Sequence, residues 1–247
     1  VTGDVTVKAG VTLTIDPGVT VKFDDGTGLS CDGVLSAFGT AANGIVFTTS
    51  QATPPASSPY TIWGGIYLRG AGASGSHLEY CTVEYGITSK ASIQVGSGST
   101  YVDDVVISHC TIRKGGLPEL PWDPGVGIYL FGKHATVSYN DITECIKGIE
   151  FKCPNTLEAY RSTFSHNQIH DLGSPTGQGM AIFFYSSGYC DIDYNVIHNT
   201  GQGIWHHSTG EGAGHINFRN NDISDGSGHG IQADGRVPYI TIHDNII

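Results

Sequence analysis

Seven segments of this 247-residue chain repeat one short pattern, and that repeat limits the fold more than any other feature. Aligned, they read HLEYCTVE, VVISHCTIR, ATVSYNDIT, STFSHNQIH, CDIDYNVIH, INFRNNDIS and ITIHDNII. One file of the alignment is Cys81, Cys110, Asn140, Asn167, Asn195, Asn221 and Asn245, with spacings of 29, 30, 27, 28, 26 and 24 residues. Two residues on, an apolar file reads Val83, Ile112, Ile142, Ile169, Ile197, Ile223 and Ile247. Each repeat also carries a second strand, usually opened by Gly: GGIYLR, SIQV, GIYLF, GIEFK, MAIFFY, GIWHH, GIQAD. Short alternating strands at this period, with no helical run, predict a solenoid of parallel strands. Leucine-rich repeats would need a Leu consensus, propeller blades a longer period, and calcium-binding nonapeptides a Gly-rich motif; none is present. A stacked Asn is suited to the bend of such a coil, where a short amide tolerates the left-handed conformation and bonds its neighbours above and below.

The bulk numbers agree with strands and tight turns: 35 Gly, one Met and only 14% charged residues. With 12 basic against 23 acidic residues the net charge is −11, so a duplex nucleic-acid partner is not expected. An anionic polymer stays compatible if local cations or a bound metal offset the field. No apolar run approaches the roughly 18 residues of a membrane span, and no signal peptide is present. The chain opens directly into VTGDVTVKAGVTLTI without Met and stops in mid-coil at HDNII, which reads as a processed fragment of a longer chain. Six cysteines without CxxC or zinc-finger spacing argue against a structural metal. Disulfides and buried thiols fit equally. Cys81 and Cys110, neighbours in the Asn file, would stand roughly 5 Å apart at Cα, within disulfide range. The pairing of Cys31, Cys145, Cys153 and Cys190 is not fixed by their positions, and none has the His/Asp setting of a nucleophilic thiolate.

On these repeats the chain resembles the right-handed parallel β-helix proteins, the pectate-lyase-like superfamily with its Asn ladders. Its opening third, with VTLTIDPGVTVKF, GVLSAFGTAANGIVFTTS and WGGIYL, is similar to the first coils of secreted bacterial members. The resemblance covers essentially the whole chain. It implies an all-β, right-handed parallel β-helix of about nine coils, some 43 Å long at roughly 4.8 Å per coil. It also implies one domain over 1–247, with N-terminal coils in 1–60 and regular coils in 61–247, and an extracellular location. That superfamily holds lyases, hydrolases, epimerases, phage tailspikes and adhesins, so fold alone does not fix function.

Strand alternation sorts the side chains. In the GIxx strands the Ile faces inward, the next residue outward, then inward, then outward. The first outward file is Tyr67, Gln94, Tyr129, Glu150, Phe183, Trp205, Gln232; the second is Arg69, Gly96, Phe131, Lys152, Tyr185, His207, Asp234. His206, between Trp205 and His207, is predicted to point into the core. Exposed aromatic rows on a rigid sheet suit flat ligands such as sugar rings, unless the insertions GGLPELPWDP or DLGSPTGQG cover them. Tyr67, Arg69, Tyr129, Phe131, Glu150, Phe183, Trp205 and Asp234 are therefore candidate substrate-binding residues.

Lys152, Tyr185 and His207 fall on successive coils in one file, roughly 5 Å apart each, and are the candidate catalytic residues. A neutral His or Tyr can take the C5 proton of a uronate, Tyr can protonate the leaving oxygen, and Lys can neutralise the carboxylate. Glycoside hydrolysis is the weaker fit: Glu150 and Asp234 are roughly 14 Å apart, beyond the roughly 5–9.5 Å that it needs, unless Glu211 or Asp123 supplies a partner from a loop. His229 and Arg236 are weaker candidates near Asp234, and His170 and His198 read as turn-face residues. The best-known lyases of the resembled family use calcium in an acidic cluster with an Arg base. No such cluster is visible, nor is the epimerase-type Asp-Pro-His; the cofactor is left open, calcium being compatible but without a clear ligand cluster, and no metal-ligating residue is named. The leading expectation is a secreted, polysaccharide-engaging β-helix that cleaves an acidic glycan by β-elimination. The alternative is a non-catalytic carbohydrate-binding, adhesive or filament-forming rod, associating head to tail through its open coil ends.

Overall fold

The computed structural model describes residues 1–54, 62–98, 100–115, 125–152, 158–173, 179–185, 188–207, 215–234 and 239–247. Each of the first eight coils contributes one strand to each of three sheets, the last described coil one strand to two of them, and every strand pairing is parallel. Sheet 1 holds nine strands, from Val5–Val7 to Ile231–Asp234; sheet 2 holds nine, from Thr12–Ile15 to Tyr239–His243; sheet 3 holds eight, from Thr20–Phe23 to Asp222–Ser224. The stack is a parallel β-helix of about nine coils, as the repeat predicts.

Stacking in register turns each repeat position into a vertical file. Ile112, Ile142, Ile169, Ile197 and Ile223 pair directly from coil to coil in sheet 3, and all are buried. Each contributes about 1.5–3 kcal/mol by leaving water. Opposite them, sheet 1 sends in Phe151 and Phe184, whose rings stack at 4.8 Å, with Phe164 of sheet 2 at 4.0 Å from Phe151. At the N-terminal end, Trp63 stacks on Phe23 at 4.4 Å. Gly86 makes room for that indole, since a Cβ there would lie 2.4 Å from the ring.

The bend between sheets 2 and 3 carries the Asn file. Each Asn Oδ1 accepts the backbone N–H of its file neighbour on the preceding coil: Cys110 to Asn140 at 2.9 Å, Asn140 to Asn167 at 3.1 Å, Asn167 to Asn195 at 3.0 Å. The amide Nδ2 then donates to the next Oδ1 at 2.9 Å and to a carbonyl of the coil before, as Asn167 does to Val137. The ladder runs to Asn245. One expectation needs correction here. The left-handed residue is not the Asn but the one before it: Tyr80, His109, Tyr139, His166, Tyr194, Asn220 and Asp244 have φ between 49° and 57°. The two requirements of the bend fall on consecutive positions.

Those left-handed residues form a feature of their own. The rings of Tyr80, His109, Tyr139, His166 and Tyr194 make one continuous external stack, with successive centroids 4.6, 4.9, 4.6 and 5.0 Å apart. A non-Gly left-handed residue costs about 1–2 kcal/mol, and ring stacking of about 0.5–1.5 kcal/mol per pair offsets it. Tyr189, His215 and Tyr239 repeat the alternation at the other end of sheet 2.

Among the described cysteines, Cys31, Cys81, Cys110 and Cys145 are buried free thiols, so for these four the structure takes the thiol reading of the two left open; Cys190 is buried as well, and Cys153 lies outside the described residues. Cys110 Sγ–H donates to the Ser108 carbonyl at 3.2 Å and Cys81 Sγ–H to that of Glu79 at 3.4 Å. Burial pushes Cys31 and Cys145 up to about 12, which leaves them protonated and unreactive.

Asn167→Ala should leave the N–H of Asn140, one Nδ2–H of Asn140 and the Val137 carbonyl without partners. A loss on the order of 3–5 kcal/mol is expected in urea unfolding, against about 1 kcal/mol for Tyr139→Ala in the external stack.

Candidate functional site

Direct cross-strand pairing puts the two outward files of sheet 1 where alternation predicts. Gln94, Tyr129, Glu150, Phe183, Trp205 and Gln232 succeed one another in register, as do Tyr185, His207 and Asp234. Lys152 pairs with Phe131 on one side and lies one residue past the Phe151–Phe184 pair on the other.

The files are not uniformly open. Tyr129, Phe131, Phe183 and Glu150 retain only 8, 2, 4 and 5% of their exposure. These four, expected to contact a ligand, form a second layer of packing on the outer face. Part of their cover comes from that face's own long side chains. Lys90 Nζ sits 4.8 Å above the Tyr129 ring, Lys147 Nζ 5.1 Å above Phe183, and Lys152 Nζ 5.7 Å above Phe131. Tyr101 stacks on Phe131 at 4.6 Å, and Glu150 is held by Lys147 at 2.7 Å. Tyr67 is half-buried, and the exposed Arg69 is clamped by a bidentate pair to Asp32 at 2.7 and 2.8 Å.

The open part of the face lies towards the C-terminal coils. Tyr185, Trp205, His207 and Asp234 are all partly exposed there, His207 and Asp234 at 37 and 38% of their side chains. Phe183 meets Tyr185 edge-on at 4.5 Å and lies 4.9 Å from Trp205, which gives the exposed rings a packed floor. Tyr185 and His207 meet edge-on at 5.9 Å. Trp205 Nε1–H donates to both carboxylate oxygens of Asp234, at 3.0 and 3.1 Å, and His207 Nδ1 lies 3.4 Å from Oδ2. Burial works against ionisation of Asp234, but the bonds from Trp205 and His207 outweigh it and hold the carboxyl below its usual range. Lys152 has no carboxylate partner among the described residues.

A scan against family models matches residues 43–213, more than half of the chain, to the right handed beta helix region. The chain belongs to that family. Comparison with curated proteins gives no match, and comparison with solved structures gives none. Membership of the right-handed β-helix family fixes the scaffold, and the chemistry has to be read from the side chains on it.

Among the described residues of this β-helix, no group of three or more His, Cys, Asp or Glu side chains is placed to hold a metal ion. No helix among them is long and apolar enough to cross a membrane. Asp123, Glu211 and Arg236 lie outside the described residues, as do the central parts of both long insertions. His229 lines a cleft of about 230 Å³ with Gly203, Asp225 and Ile247, at the corner that precedes the last strand of sheet 1. His170 and His198 stack at 4.9 Å on sheet 3. His170 lies 2.7 Å from Asp171 and 2.9 Å from Asp141; burial opposes its charge, and these carboxylates outweigh burial and hold it above the usual imidazole range. Sequence reasoning missed Lys90 and Lys147 on the sheet 1 face. Their reach across neighbouring rings leaves no mark in the repeat.

His206 is buried, as alternation predicts, with its ring 4.7 Å from Phe184 and its Nδ1 without a partner. Burial lowers it from about 6.5 to about 4. The unfolded chain therefore takes up a proton that the folded one refuses, so this contribution to stability is complete above pH 6.5 and is lost as the pH falls towards 4. Between pH 7 and pH 4, His206→Leu should lose on the order of 3 kcal/mol less than the parent in equilibrium unfolding.

Proposed function

We propose that this β-helix engages an acidic polysaccharide along the outer face of sheet 1, centred on Lys152, Tyr185, Trp205 and His207. The reading rests on the cluster of partly exposed rings, seated on a packed aromatic floor, beside a lysine with no carboxylate partner among the described residues. Trp205 and Tyr185 offer apolar ring surface to the C–H faces of sugars. Lys152 supplies a positive charge for a uronate carboxylate. Tyr67 and Arg69, further down the same face, would meet a polymer lying along the coil axis.

The pairing of His207 with Asp234, beside Tyr185, favours a second step: cleavage by β-elimination. In that step a neutral His207 takes the C5 proton of the uronate, whose carboxylate Lys152 neutralises. The electron pair forms the C4–C5 double bond, the C4–O bond breaks, and Tyr185 protonates the departing oxygen.

Incubation with a panel of uronic-acid polymers tests both parts, with calorimetry for binding and absorbance for unsaturated product. Trp205→Ala should weaken binding about 10-fold. His207→Ala and Tyr185→Phe should each lower product formation about 10²–10⁴-fold while binding persists. Binding without product would leave a carbohydrate-binding module. No binding to any glycan, with concentration-dependent polymerisation, would replace the proposal with a structural rod.

A further inference from the structure

The arrangement around Asp234 fixes more than the location of His207. Asp234 lies on the coil above, paired directly with His207, and two consecutive coils contribute to its surroundings. Trp205 Nε1–H donates to both of its oxygens, and Gln232 Nε2 adds a longer contact at 3.4 Å to Oδ1. An indole N–H can only donate, so Trp205 offers Asp234 nothing unless the carboxylate accepts. A carboxylate held ionised in this way is itself an acceptor only. The nitrogen facing Oδ2, His207 Nδ1 at 3.4 Å, must therefore carry the hydrogen. In a neutral imidazole with Nδ1–H, the lone pair is on Nε2.

We propose that Asp234 is a positioning residue for His207, holding it in the Nδ1–H tautomer with Nε2 as the basic nitrogen, and that Trp205 locks Asp234 in the accepting role. This deepens the β-elimination reading and rests on it for its catalytic meaning. It moves Asp234 from the substrate-binding set to the support of the base, and gives Trp205 a second task besides stacking. At 3.4 Å the His207–Asp234 contact is long, as such bonds often are before substrate binds, and it has room to shorten when imidazolium forms.

Nitrogen NMR of the full ¹⁵N-labelled chain, without any glycan, reads the tautomer directly, with the His207 signals assigned by their loss in His207→Gln. The expected result, at alkaline pH, is a protonated Nδ1 and a bare Nε2. Asp234→Ala should shift the population towards Nε2–H, Asp234→Glu should restore Nδ1–H, and Trp205→Phe should weaken the preference. An Nε2–H tautomer in the parent chain, or one unchanged in Asp234→Ala, overturns the proposal; the parent measurement decides even if a variant fails to fold. Where a glycan is cleaved, Asp234→Ala should lower kcat at least about 10-fold with KM nearly unchanged. A raised KM with kcat intact would return Asp234 to substrate binding. The two readings fail separately: Nδ1–H with no cleavage of any glycan ends the elimination reading alone, and cleavage by a chain with Nε2–H ends only the role of Asp234.

Discussion

A parallel coil has to turn between sheets without leaving a buried backbone N–H unpaired, and the rest of this structure depends on how it does so. At the bend after sheet 2 the N–H of the Asn itself, one residue before the next strand as at Asn140, has no strand neighbour to bond. The Asn of the following coil reaches back with Oδ1 to accept it, and its own Nδ2 is spent on the next Asn and on a carbonyl of the coil before. All four hydrogen-bonding capacities of the amide are used. A buried amide left half-satisfied would cost about 1–3 kcal/mol per group, so slipping one coil by a residue breaks the ladder as well as turning the Ile file outward. Register is held from two directions, by the amide at the corner and by the apolar residue two positions later.

Register of this kind makes neighbouring residues chemically unlike while making residues a whole coil apart nearly equivalent. His206 and His207 share a strand, yet one takes the next place in the interior file above Phe151 and Phe184, and the other reaches a partly exposed carboxylate. At His206, whose Nδ1 finds no partner, burial outweighs the attraction of Asp234, so the ring is kept neutral down to about pH 4. His170 shows the opposite balance on sheet 3, where two carboxylates overcome a partial desolvation. The same residue type reaches opposite states on one scaffold because the file, and not the local sequence, decides what it faces.

That logic also separates what was legible in the sequence from what was not. The period gave the coil, and alternation gave the inward course of His206 and the outward course of Trp205 and His207, because both depend only on the geometry of a pleated strand. The left-handed position was displaced by one residue: hydrogen bonding and backbone turn are separate demands, and an amide meets only the first. Tyr80, His109, Tyr139, His166 and Tyr194 stood in plain view before the ladder positions, and an alternating Tyr/His file at a constant bend was a readable signal. Exposure was not readable. Tyr129, Phe131 and Phe183 share files with Trp205 and Tyr185, but lysines from adjacent coils and Tyr101 fold over them, through side-chain torsions that the repeat does not encode. Free thiols and a disulfide likewise call for the same residues at the same spacing.

Those lysines change how the overall charge should be weighed. A net charge of −11 suggests a chain that repels acidic polymers. At physiological ionic strength, however, exposed charges more than about 8 Å apart are largely screened. A ligand on the sheet 1 face responds to the groups beneath it. There Lys90, Lys147, Lys152 and Arg69 stand among Asp32, Glu150 and Asp234, and each of these carboxylates is engaged by a donor of its own. Asp141, Asp171, Asp191 and Asp193 belong to the other sheets and their bends. The salt bridges of Lys147 to Glu150 and of Arg69 to Asp32 largely cancel the field those two cations project, whereas Lys152 sits over the Phe131 ring with no carboxylate partner among the described residues, at about 0.5–2 kcal/mol of cation–π attraction. Phe183, over which Lys147 is seated, is also the ring that floors Tyr185 and Trp205, so the packed layer and the partly exposed one meet in a single side chain.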